Sequence, residues 1–220
     1  MERSVHISVD DVTITLQRLC SQGYTSVFDE PFFKYISLLH RLFGLKITLY
    51  VFAMHGDWSL AEMPDTYRVE LANASNWLKF GFHAVSEEQK RGVVLPNFKE
   101  QYLFVTQQIR RFAGDASIAH ILRLHNWFYP KEYMAVLKQY GVKTILGEPD
   151  CEKTEIDTIP VWKTRIRIER DKHIMQKICR NSNHPFVIFT HEWILNRRNK
   201  IKLAMAVVAL KWLGYKFICE

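Results

Sequence analysis

Long apolar runs are missing from this 220-residue chain. The longest, residues 203–210, falls well short of the roughly 20 residues that a membrane-spanning helix needs. Cysteine is scarce and scattered: Cys20, Cys151, Cys179 and Cys219 form no CxxC pair, which excludes a thiolate zinc knuckle and argues against a disulfide framework. Glycine and proline number only nine and seven and never gather into a linker. There is no low-complexity tract and no internal repeat, so one domain over residues 1–220 is expected. The opening Met-Glu-Arg-Ser leads into a strand pattern rather than the apolar segment of a secretory signal. A cytoplasmic location with reduced thiols is the expectation.

Negative charge is also in deficit. Thirty lysines and arginines stand against 23 acidic residues, a net charge of +7, with basic stretches at 163–170 and 197–202. Such a surface suits nucleic acid, an acidic lipid face or an anionic sugar, and equally a merely solvated face. No RRM-type aromatic signature or other nucleic-acid motif accompanies it, so no nucleic-acid partner is expected. Peripheral contact with an acidic surface stays open.

What the chain does have is an apolar content of 48% and an aromatic content of 13%, enough for a packed core. Strand-like and helix-like stretches alternate from end to end. A strand at 5–9 precedes a helix at 30–43, with Asp29 placed to cap it, Pro31 in its first turn and Gly44 at its end. Strands follow at 46–52, 78–82, 118–124, 142–146, 186–190 and 215–219, with one or two more within 156–170. Helices are expected at 64–73, 98–112, 130–140 and 197–213. This is the pattern of a parallel α/β sheet with crossover helices, closed or doubly wound.

Four of these strands break off at chemically capable side chains: Asp10-Asp11, then His83 with Glu87 four residues on, then His125, then His191-Glu192. In parallel architectures the C-terminal strand ends share one rim, so carboxylates and imidazoles would meet there and could hold a divalent metal. Each feature alone has a plainer explanation. Asp10-Asp11 could cap a helix from Val12, His83 could be a satisfied core histidine, and Glu87 opens an ordinary solvated run, Glu-Glu-Gln-Lys. Arg123 could bridge a carboxylate structurally, and Trp127 and Trp193 could be lids on the core as readily as platforms for a sugar. The ordered set outweighs the separate explanations.

In that order the chain resembles the polysaccharide deacetylases of the NodB type, the carbohydrate esterase family 4 superfamily. The resemblance lies in Ser8-Val9-Asp10-Asp11-Val12, in the strand Ile47–Phe52, in Trp77-Leu78-Lys79-Phe80-Gly81-Phe82-His83, in Phe189-Thr190-His191 and in the closing Trp212-Leu213-Gly214-Tyr215. It implies an α/β fold, a distorted (β/α)7 barrel, and one divalent metal ion, zinc foremost. Residue by residue, it makes Asp11 and His83 metal ligands, Asp10 the general base, Arg123 the residue that steadies the base, and His191 the general acid. The family's second metal-binding histidine is absent; Glu87 occupies its place and would share a helical face with His83 if a turn of helix followed the strand. The Arg-x-Pro-Tyr-Gly motif is replaced by Arg123-Leu124-His125-Asn126-Trp127, which leaves His125, Trp127 and Trp193 as substrate-contacting candidates.

The implied activity is metal-dependent removal of an acetyl group from an N-acetylated sugar or glycan intermediate, in surface polysaccharide biosynthesis. Two other readings stand beside it: a catalytically lapsed barrel that binds an anionic glycan, and a metal-dependent hydrolase of another amide or a phosphoester.

Overall fold

The computed structural model describes residues 3–180 and 185–220; Met1, Glu2 and 181–184, His184 among them, lie outside it. Strand β1 (Ser4–Val12) is buried along almost its whole length, as a parallel strand covered on both sides must be. It is followed by α1 (Ile14–Gln22), α2 (Pro31–Phe43), β2 (Ile47–Phe52), a small hairpin of β3 (Met54–His55) and β4 (Trp58–Ser59), α3 (Arg68–Asn73) and β5 (Leu78–Ala84). The second half contains α4 (Phe98–Ala113), β6 (Ile121–Leu122), α5 (Lys131–Gln139), β7 (Thr144–Gly147), β8 (Glu155–Ile156), β9 (Ile159–Arg167), α6 (Ile174–Arg180), β10 (Phe186–His191), α7 (Arg197–Trp212) and β11 (Lys216–Ile218).

Seven strands pair in parallel in the order β5-β2-β1-β10-β9-β7-β6. A parallel bridge between Phe80 and Ile118 nearly closes the ring. The expected distorted (β/α)7 barrel is therefore what the chain forms. The barrel departs from regularity at β6, which is two residues long where a seven-residue strand at 118–124 was expected. Beside it, Tyr50 reaches across the interior and donates its hydroxyl to the Ile121 carbonyl at 2.6 Å. Gly81 leaves room for that ring, since a β-carbon there would lie 2.8 Å from it.

The helix at 31–43 starts with Pro31 and ends at a left-handed Gly44, as its sequence implied. Its cap is Glu30 rather than Asp29. Glu30 accepts from the Phe32 and Phe33 amides at 2.7 and 3.0 Å, while Asp29 closes the preceding short turn on Ser26. Helices α1 and α6 were not evident from sequence. Helix α1 has no side-chain cap at its own Thr13. The cap comes instead from the far end of the chain: the buried Glu192 carboxylate accepts from the amides of Thr13, Ile14 and Thr15 at 2.8, 2.9 and 2.6 Å. This pins the turn after β1 to the turn after β10. All four cysteines are free, and no helix among the described residues is long and apolar enough to cross a membrane.

Removing the Glu192 carboxylate would leave three helix-initiating amides without their acceptor. Glu192→Ala is expected to cost on the order of 2 kcal/mol or more in chemical denaturation, with the denaturant slope unchanged.

Candidate metal centre and catalytic rim

The strand ends converge as a parallel barrel requires. Asp10 and Asp11 come from the end of β1, His83 from β5, Arg123 and His125 from the segment just after β6, and His191 from the last position of β10. Three of the rim's residues adopt left-handed backbone without being glycine: Asp11 (φ 59°), Asn126 (φ 56°) and Trp127 (φ 49°). Such conformations cost about 1–3 kcal/mol each and persist where surrounding structure imposes them. At Asp11 the chain leads directly into the pinned turn that starts α1.

Potential ligand atoms of Asp11, His83 and His125 all lie within 4.8 Å of one another. Each is held from behind. The His83 ring donates from Nδ1 to the Arg123 carbonyl at 2.6 Å, which turns Nε2 toward Asp11 Oδ1 (3.2 Å) and His125 Nδ1 (3.3 Å). His125 makes its own hydrogen bond to the backbone carbonyl of Glu87, and its Nδ1 stands 3.8 Å from Asp11 Oδ1. Asp11 Oδ1 is buried yet has no hydrogen-bond partner, an orphaned acceptor facing two imidazoles. One carboxylate and two neutral imidazoles are a fitting donor set for zinc or a similar ion.

Electrostatics point the same way. Burial opposes charge on Asp11, but the close His83 and His191 imidazoles and the Trp193 indole N–H outweigh it and hold the carboxyl far below its ordinary range. Burial also opposes charge on His83, yet Asp11 and Asp10 raise its pKa. The negative field that would protonate His83 would equally favour a divalent cation. His125 lies farther from the carboxylates, and burial together with the His83 charge lowers its pKa to about 4, so it is neutral and able to ligate.

Glu87 is not brought into this group. No helical turn follows β5; the chain passes into an irregular turn, and the Glu87 side chain, 60% exposed, points toward His55 with 3.6 Å between them. What Glu87 offers the site is its backbone carbonyl. His125, expected as a substrate contact, offers the third potential donor atom of this cluster.

Beside the donor cluster lie two acid–base pairs. Asp10 is buried, with the Arg123 Nε at 3.1 Å and Ser8 donating at 3.3 Å. Its pKa is raised because burial outweighs the favourable charges of Arg123, His83 and His191. Arg123 is itself buried, bonded through Nη1 to Thr164 at 2.8 Å and lying over the Phe189 ring at 4.2 Å. On the other flank His191 holds Nδ1 against Glu169 at 2.7 Å, and its Nε2 faces Asp11 Oδ2 at 3.9 Å. Burial works against Glu169, but His191 and Arg167 bring its pKa down to about 2. Glu169 had no place in the sequence reading; it lies two residues beyond β9, so the strand-end rule itself pointed to it once that strand was delimited.

The tryptophans take different positions. Trp193, 60% exposed, donates its indole N–H to Asp11 Oδ2 at 3.0 Å. Trp127 packs edge-on against Phe189 at 5.9 Å, and its buried indole N–H has no partner.

No family model matches the sequence, and no curated protein is detectably similar to it. Solved structures do match in fold. A family 4 carbohydrate esterase pseudoenzyme from Bacillus anthracis superposes with a TM-score of 0.58 at 9% identity over 98% of this chain, which spans 63% of that protein's length. A family 4 carbohydrate esterase from Streptomyces lividans, solved with acetate, gives 0.58 at 15% identity, covering 97% of this chain and 90% of the other. A 4-alpha-glucanotransferase from Thermococcus litoralis gives 0.63 at 12% identity, with 99% of this chain matched to 39% of that one.

Two measurements bear on the site directly. His125→Ala is expected to weaken zinc binding by more than the roughly 10–100-fold that follows loss of an orienting neighbour, whereas Glu87→Ala leaves it nearly unchanged by competition titration. The lowered Glu169 pKa contributes stability that is fully present above its ordinary value near 4.5 and is lost as pH falls toward about 2. Acid unfolding of Glu169→Gln should therefore lack a component on the order of 2–3 kcal/mol seen in the parent across that window. The chain carries the barrel fold of the family 4 carbohydrate esterases.

Proposed function

We propose that this protein is a metal-dependent carbohydrate deacetylase that removes the acetyl group from an N-acetylated sugar or glycan intermediate. The observation that carries the reading is the meeting, on one rim, of an Asp11–His83–His125 donor cluster with a buried base pair, Asp10–Arg123, and a tethered acid pair, His191–Glu169. Acetate bound to a fold neighbour from Streptomyces lividans supports it.

Asp11, His83 and His125 would hold the ion, with zinc best matched to two imidazoles and a carboxylate. When bound, the metal supplies Lewis-acid polarisation of the acetyl carbonyl and of water. Asp10 accepts the proton of the attacking water; its raised pKa and fixed geometry against Arg123 suit it to that exchange. As the carbon–nitrogen bond breaks, His191 delivers a proton to the departing amine. Glu169 secures its Nδ1–H, so Nε2 is the nitrogen that faces the site. Acetate and the free amino sugar leave.

Beside Trp193 a cleft of about 240 Å³ runs between α1 and the start of α7, with Arg18, Asn196 and Lys200 on its walls. It suits the remainder of a larger or charged substrate, such as a nucleotide- or lipid-linked sugar made in the cytoplasm for surface polysaccharide. A second reading, a lapsed barrel that binds glycan without turnover, draws support from the missing Arg-x-Pro-Tyr-Gly motif and the pseudoenzyme among the fold neighbours.

Acetate release from N-acetylglucosamine oligomers and nucleotide-linked N-acetyl sugars separates the two readings. Turnover should vanish on chelation and return with zinc or cobalt, and Asp10→Asn should lower kcat by about 10²–10⁴ while retaining the metal. Full activity in metal-free protein would overturn the mechanism; metal binding without turnover of any acetylated sugar would favour the lapsed barrel.

A further inference from the structure

Helix α7 has two apolar faces, and the barrel uses only one. Leu203, Ala206, Val207 and Leu210 are buried against the sheet. On the opposite side Ile201, Met205, Val208 and Trp212 recur at helical spacing, so they form a second stripe. Ile201 and Met205 are each 53% exposed and Trp212 85%, with Leu213 continuing the stripe beyond the helix end. Helix α2 lies alongside: Tyr35 donates to the Lys200 carbonyl at 2.7 Å, and a β-carbon on Gly44 would lie 3.9 Å from the Lys211 ammonium. Its outward residues next to α7 are Leu38 and Leu42, the latter 62% exposed. On the other flank, Met175 of α6 and Met205 share the wall of a shallow pocket. Single exposed apolar residues are ordinary, but a run of them over three neighbouring helices is not.

Charge says what covers this face. Helices α2, α6 and α7 carry nine lysines and arginines and no carboxylate: Lys34 and Arg41, Lys177 and Arg180, and five on α7. Residues 161–220 hold thirteen basic residues against four acidic ones, while residues 1–160 hold seventeen against nineteen. The whole positive excess therefore sits in the part of the chain that contributes α6 and α7, two of the three helices of this face. A second copy docked face to face would set nine cations against nine, which opposes self-association. An apolar stripe with an exposed tryptophan, on helices that carry cations and no carboxylate and with Asp171 pairing Lys177 at one flank, is instead the combination that an anionic bilayer surface recognises.

We infer that the outer face of α7, with Leu38 and Leu42 of α2, docks on an anionic lipid bilayer, its apolar side chains at the acyl boundary and its lysines and arginines among the headgroups. This does not depend on the activity of the catalytic rim.

Co-sedimentation of the full chain with phosphatidylcholine vesicles, with and without phosphatidylglycerol, tests it. Binding is expected only with the anionic lipid and should weaken as salt is raised. Met205→Ser with Trp212→Ala should reduce it about tenfold or more, and Arg197→Gln with Arg198→Gln should reduce it while leaving the stripe intact. These positions are exposed or partly so, and unchanged thermal unfolding would confirm that folding is preserved. No binding to anionic vesicles, equal binding to neutral ones, or binding that neither double variant weakens would overturn the inference. A lipid-free dimer abolished by Trp212→Ala would assign the face to a second copy and overturn it as well.

Discussion

The in-register parallel pairing of β1 with β10, from Val5 opposite Phe186 to Asp10 opposite His191, is the constraint on which the rest of the site depends. It brings the ends of the first and last long barrel strands to the same height. A carboxylate and an imidazole distant in sequence become neighbours across one strand spacing. Glu192, the next residue after His191, then caps the helix that follows β1. The two turns are thereby tied together, and Asp11, left-handed just before the capped helix, has its carboxylate beside His83.

The rim and the barrel interior beneath it bury several polar groups. Ser8, Asp10, His83, Arg123 and Thr164 are all buried. A charge such as that of Arg123 is tolerable there because it meets Asp10, Thr164 and the face of Phe189 together. The cost of burying these groups raises the pKa of Asp10, while at His83 the two carboxylates outweigh it. Packing and chemistry are therefore one arrangement: the desolvation that makes the interior costly also tunes the groups at its mouth. The Thermococcus glucanotransferase that shares the fold is a reminder that such a barrel does not choose its reaction; the side chains at the strand ends do.

Much of the frame was legible in the chain. Helices α2, α4, α5 and α7 carry regular apolar spacing and end at or beside glycine, and β2, β5 and β10 are short runs rich in strand-forming residues. Helix α1 was not legible, because its cap is supplied by Glu192, 179 positions from Thr13. Strand β6 read as seven residues and pairs over two, since an apolar run records burial and not hydrogen bonding. Within the site, the positions of Asp10, Asp11, His83, His125 and His191 followed from strand ends, and that of Arg123 from the family resemblance. Glu87 was placed by the family resemblance, on the condition of a helical turn that the chain after β5 does not adopt.

By itself the sequence determined the alternation of strands and helices, and with it a parallel sheet, closed or doubly wound, whose chemically capable residues gather at one rim. Local periodicity and the geometry of parallel strands suffice for that. The barrel was what the family resemblance implied. Which residues complete the donor cluster was decided only by tertiary structure. His125 reaches Asp11 and His83 from the short turn that follows the two-residue β6, where the backbone is left-handed at Asn126 and Trp127. Glu169 reaches His191 because β9 lies next to β10. Both contacts cross between elements, where distance depends on how strands pair and turns bend, and no spacing along the chain encodes that.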